Sequence, residues 1–157
     1  MVDYSFGIQN AVDLLLAFDA VVEDYLTNPL SSGKAVICAM FSWHLVDWVY
    51  QEYPAVVVKF PNLKDYKLHL KSECKSLSYM QDITNGTKHR TIGKYSPSVK
   101  KAEEHRGAFS SAFSKAFDVS RLQLTLTDES IIYFDEEVTK VRNYWHTYFT
   151  DTLKERV

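Results

Sequence analysis

Apolar residues recur every three or four positions through long stretches of this chain, and that period predicts helices. Between residues 8 and 27, Ala11, Leu14, Leu15, Phe18, Val22 and Tyr25 form one face, and Asp13, Asp19, Glu23 and Asp24 lie on the other. Asn28 and Pro29 stop this helix. A second helix begins after Ser31-Ser32 and runs to about Tyr53, ahead of Pro54. Its Ala35, Val36, Ile37, Ala39, Met40, Phe41, Trp43, Leu45, Val46, Trp48 and Val49 leave almost no polar side, which predicts the central helix of a bundle. Residues 55–62 read as an extended connector, because Val56, Val57 and Val58 favour strand geometry and Pro61 forbids helix continuity.

A third helix is predicted over 63–84 or further, with Leu70, Cys74, Leu77 and either Met80 or Gln81 on its core side. Gly86 either ends it in a left-handed cap or lies inside a continuing helix, at about 1 kcal/mol relative to alanine. From 91 to 118 the period weakens. Phe109, Phe113 and Phe117 recur every four residues there, as anchors of a loop or as one face of a short helix. Leu122, Leu124 and Leu126 then alternate with polar residues, 127–130 make a turn, and 131–134 return, which predicts a β-hairpin. Asp135 is expected to cap a last helix reaching about Arg156, with Glu136 and Glu137 in its first turn and Val138, Val141, Trp145, Tyr148 or Phe149, and Leu153 facing the core. The expected fold is mainly α: a single-domain four-helix bundle over residues 1–157, with a small β-hairpin before the last helix.

Composition agrees with a packed chain. Its 157 residues are 46% hydrophobic, with 10 Tyr, 9 Phe and 3 Trp, enough for one core without disulfides. Cys38 and Cys74 each lie within an apolar helical pattern and read as buried reduced thiols. Residues 1–10 show no secretory pattern, and the longest apolar run, 35–41, is too short to span a bilayer, so the expectation is a cytoplasmic chain with no membrane association. The net charge of −2 hides an asymmetry: residues 64–106 hold ten Lys or Arg against five acids. Such a strip attracts phosphates, or docks on acidic faces of the same chain or of a partner.

Three groupings carry candidate chemistry. His44 and Asp47 are three residues apart on the second helix and point to one side, as a proton-transfer pair, as two metal ligands, or as a buried polar pair satisfying each other. Asp82, Asn85 and His89 share a face only if the helix passes through Gly86, with Lys88 and Arg90 beside them to hold a phosphate or an acidic partner. The same residues also suit a helix end whose last carbonyls are met by basic side chains. Arg142 and His146 are four apart on the last helix, and an Arg with a His is the minimum for metal-independent RNA cleavage, while the plainer account is an exposed edge beside Trp145. No glycine-rich phosphate loop, Cys-x-x-Cys, His-Glu-x-x-His or nucleophile elbow is present, and no cofactor is expected.

Asn85, Lys88 and His89 late in the third helix, followed by Arg142-Asn143 and His146-x-Tyr148 in the last, resemble the HEPN superfamily and bacterial helical bundles with an Asn-x-x-Lys-His signature. Active members carry Arg followed after four to six residues by His, and they commonly dimerise so that two motifs face each other. Here three residues separate Arg142 from His146, a spacing that implies a catalytically silent relative. The resemblance implies a homodimer, with RNA or a protein as partner. Three functions follow in order: a non-enzymatic interaction or regulatory module; a divergent HEPN-like ribonuclease using Arg142 and His146, or His89 with Lys88; and a metal-dependent enzyme gathering His44, Asp47 and His89 with Asp82 or His146 in the bundle core.

Overall fold

The computed structural model describes residues 6–89, 93, 95–107 and 120–157. Six α-helices and a three-stranded antiparallel sheet stand among them: α1 Ala11–Thr27, α2 Ser32–Glu52, α3 Pro54–Val57, α4 Leu63–Glu73, α5 Ser76–Lys88, β1 Val99–His105, β2 Arg121–Leu126, β3 Ile131–Tyr133 and α6 Phe134–Thr147, which runs on as a π-helical turn over Tyr148–Leu153. The mainly helical prediction holds, but the plan is more divided than four helices and a hairpin. No described helix is long and apolar enough to cross a membrane.

α1 and α2 start and stop where their caps dictate. Asn10 accepts the backbone N–H of Asp13 at 2.8 Å, and Ser31 accepts that of Lys34 at 3.3 Å, each filling one unmet donor of a first turn. α2 packs against α1, α4, α5 and α6 and is the central helix. It is not buried all round: Ile37 is 43% and Met40 36% exposed.

Three expectations are corrected. The 55–62 connector opens as a helical turn, because Pro54 at its first position sets a helical φ where its missing N–H is not needed. The third helix is two helices. The backbone turns extended at Cys74, whose N–H closes α4 on the Leu70 carbonyl at 2.8 Å, and the Leu77 N–H bonds the Cys74 carbonyl at 3.0 Å as α5 begins. Leu70 and Leu77 are both fully buried, so their seven-residue spacing fits either one helix or two. Asp135 does not cap α6. The residue before the helix is Tyr133, with no side-chain cap, and Asp135 instead accepts from Arg121 at 2.8 Å.

Sheet order is β1-β2-β3. The predicted hairpin is β2 and β3, with Leu124 opposite Ile132. β1 was not foreseen. Its Lys100, Lys101, Glu103 and Glu104 give no apolar alternation, as befits an edge strand. Phe109, Phe113 and Phe117 lie outside the described residues.

The core closes around Trp145, which is fully buried. Its indole N–H donates to the Ser42 carbonyl in the middle of α2 at 3.1 Å, and its ring meets those of Tyr148 and Phe149 edge-on. The π-helical turn lets Tyr148, Phe149 and Leu153 all face inward, resolving the choice between the first two. Trp145→Ala is expected to cost about 3–5 kcal/mol in denaturant unfolding, since it leaves a large cavity in the core and removes the second hydrogen bond to the Ser42 carbonyl.

Candidate functional site

Asp82 gathers the densest set of polar contacts among the candidate residues. It is 5% exposed, in α5. One oxygen accepts the Tyr95 hydroxyl at 2.9 Å, and the other accepts the backbone N–H groups of Ser98 at 2.7 Å and Val99 at 2.9 Å. Asn85, one turn on, donates to the Tyr95 oxygen at 3.1 Å. Asp82, Asn85 and Tyr95 therefore fix the start of β1 against α5. The helix does pass through Gly86, ending at Lys88, and the His89 N–H bonds the Asn85 carbonyl at 2.8 Å. Lys88 and His89 are exposed at that end, and Arg90 lies outside the described residues.

Beside this anchor lies a cavity of about 400 Å³, between the start of α2, the end of α5 and the β1-β2 face. Ala35, Val36, Ile83, Leu122, Leu124 and Phe134 supply its apolar wall. Asp82, Gly86, Thr87 and Gln123 add polar or open positions. Its volume is in the range of small-molecule sites.

Arg142 and His146 come together elsewhere, on Asp19 of α1. Arg142 Nε donates to Asp19 Oδ1 at 2.8 Å, and a terminal nitrogen donates to Glu23 at 3.0 Å. His146 Nε2 lies 2.9 Å from both Asp19 oxygens. Burial opposes the charge on Arg142, but its hydrogen bonds to Glu23 and Asp19 outweigh that and hold its pKa above the ordinary guanidinium value. The cluster ties α6 to α1 at a partly open surface, with 34% of the His146 side chain exposed.

His44 and Asp47 do not pair with each other. His44 is exposed, and Asp47 meets Lys67 of α4 at 2.8 Å, while that ammonium sits 5.4 Å from the centre of the Trp43 ring. The buried-pair reading is thereby corrected: a residue three positions on shares a helix side, but α4 supplies the stronger partner. Among the described residues, no three His, Cys, Asp or Glu side chains are grouped to hold a metal ion. His44, Asp47, Asp82, His89 and His146 therefore form no shared metal site among the described residues.

Three residues with structural weight escaped the sequence reading. Asp19 was one acid among four on the outer face of α1, and nothing local links it to a residue 123 positions away. Tyr95 lay in a stretch without period. Glu137, 4% exposed, was read as a first-turn acid, but it accepts Ser76 Oγ at 2.5 Å and Lys140 Nζ at 2.6 Å, joining the starts of α5 and α6. With Cys74, Tyr79 and Tyr144 it lines a second, more open cleft of about 700 Å³.

Comparison with protein-family models, curated proteins and solved structures finds no match for this chain.

Two outcomes follow from this geometry. Nothing lies within 4 Å of a methyl group placed on Gly86, so Gly86→Ala should raise stability by about 0.5–1 kcal/mol in chemical denaturation through helix propensity alone. Burial pushes the Tyr95 hydroxyl up to about 12; Asn85 acts against this, and the hydrogen bond and charge of Asp82 add to it. A folded pKa above the unfolded value of 10.0 favours the native state fully below pH 10, and that contribution is lost as pH rises towards 12. Unfolding free energy measured across pH 9–12 should therefore fall less steeply in Tyr95→Phe than in the parent chain.

Proposed function

We propose that the chain is a non-enzymatic interaction module, of the kind expected of a HEPN-like bundle without nuclease chemistry. The observation that carries this reading is the pairing of Arg142 and His146 with Asp19 and Glu23. A scissile phosphate at Arg142 would bring further negative charge beside two carboxylates that already take two of its donors, and like charges at such range repel. A transition-state clamp needs donors aimed at the developing charge, whereas these donors are committed to the ground-state fold. The other polar candidates support the same view: Asp82 and Asn85 hold the start of β1, and Asp47 holds α4.

One observation favours the divergent-ribonuclease reading. The Asp19 carboxylate orients a partly exposed imidazole, and a general base requires such an arrangement. Incubation of the purified chain with single-stranded RNA separates the two. The module reading expects no cleavage. It also expects Arg142→Ala and His146→Ala each to lower stability by about 1 kcal/mol, a shift of roughly 2–4 °C in melting temperature for a chain of this size. Cleavage that is present in the parent chain and lost in His146→Ala would overturn it.

A further inference from the structure

β1 is an edge strand among the described residues, and its five central residues read Lys100-Lys101-Ala102-Glu103-Glu104. Two positive charges precede a small central residue and two negative charges follow it. An antiparallel strand pair has a local two-fold axis, so a strand laid against its own copy about residue 102 sets residue 101 opposite 103 and residue 100 opposite 104. From this order of charges we infer that β1 is a homodimerisation edge, which pairs antiparallel with β1 of a second copy of this chain.

In that register Lys101 faces the partner's Glu103, and the two-fold axis repeats the pair; Lys100 is the extra residue of the irregularity in β1, so its approach to the partner's Glu104 is the less regular contact. Alternative registers fare worse. Sliding by one residue keeps a single kind of pair, Lys101 opposite the partner's Glu104 in one direction or Lys100 opposite the partner's Glu103 in the other, and centring on Glu103 sets that carboxylate against itself. Parallel in-register pairing opposes like charges at all four positions, which is destabilising.

The side chains involved are available. Lys101 and Glu103 pair within the strand at 2.6 Å, with the Lys101 side chain 63% exposed, and Lys100 meets Glu129 with 56% of its side chain exposed. Exposed pairs of this kind are weak and exchange readily for cross-strand partners. Ala102 is exposed and small, so two copies can approach at the axis without a clash. The irregularity between Val99 and Lys101 places extra twist at the Lys100 end, which makes Lys101 with the partner's Glu103 the better-formed pair. The Asp82 anchor on the Ser98 and Val99 amides fixes the strand's start, so the edge is held in place before any partner arrives.

The inference rests on the interaction-module reading and names the surface that reading leaves open. Sedimentation equilibrium of the full chain tests it with two double variants, K100E/K101E and E103K/E104K, each checked for helical content by circular dichroism. The parent chain is expected to dimerise. Each variant alone should self-associate at least a hundredfold more weakly, and an equimolar mixture should form a heterodimer. The parent dimer should also weaken as salt is raised. A monomeric parent chain, variants that dimerise as well as the parent, or a mixture that stays monomeric would overturn β1 pairing. Should a variant fail to fold, hydrogen exchange on the parent chain decides: protection of the amides of residues 100–104 should rise with protein concentration, and concentration-independent exchange would overturn the inference. RNA cleavage lost in His146→Ala would defeat the module reading yet leave these association results as they stand, so the two failures are distinct.

Discussion

Burying the Asp82 carboxylate is the constraint on which the arrangement of sheet and helices depends. A carboxylate taken out of water is destabilising by several kcal/mol unless donors meet its oxygens. Here the donors are a tyrosine hydroxyl and two successive backbone amides at the start of β1. They can be supplied only if the chain returns from α5 and lays residues 95–99 across it. β2 then pairs with β1, β3 with β2, and Phe134 follows directly into α6. The 400 Å³ cavity is the space left between this sheet and the α2 and α5 helices, and the outer edge of β1 is the sheet's limit among the described residues.

Elements with a local signature were legible in the sequence. α1 and α2 show apolar faces with start and stop signals, α6 shows its apolar face, and β2 alternates before a turn into β3. What was not legible depends on distant partners. β1 is written in charges, so no period marks it, and only the amides it offers to Asp82 and the rungs it offers to β2 make it a strand. The break at Cys74 is invisible because residues seven apart share a face across two helical turns whether or not the helix is continuous. Arg142 and His146 were recognisable as neighbours from their spacing, yet the carboxylate that binds them lies 123 residues away on α1. His44 and Asp47 show the limit of spacing arguments, because the i,i+3 rule places side chains on one side of a helix without saying which neighbour wins them.

Part of the basic stretch from 64 to 106 likewise depends on distant partners. Its excess of positive charge suggested either a phosphate strip or docking on acids of the chain itself. Lys71 donates to the neutral Gln81 at 2.9 Å, while Lys67 meets Asp47, Lys100 meets Glu129 and Lys101 meets Glu103, so three of its described lysines are met by carboxylates of the same chain. Contacts of this kind neutralise charge locally and leave less field to gather an extended polyanion. The mirror order within β1 adds a feature that net charge conceals, since a strand of zero net charge can still favour one antiparallel register with its own copy over the alternatives.

The large pKa shifts fall on hydroxyls and a thiol of the core. Burial pushes the Cys38 thiol up to about 12, so it stays protonated at physiological pH. Tyr66 and Tyr144 are driven up, first by burial and then by hydrogen bonds to Tyr148 and Glu73 respectively. These hydroxyls serve as fixed donors: Tyr66 to Tyr148 at 3.3 Å and Tyr144 to Glu73 at 2.7 Å, linking α4 to the last helical segment. Groups held this far from titration keep their hydrogen bonds unchanged across the physiological pH range.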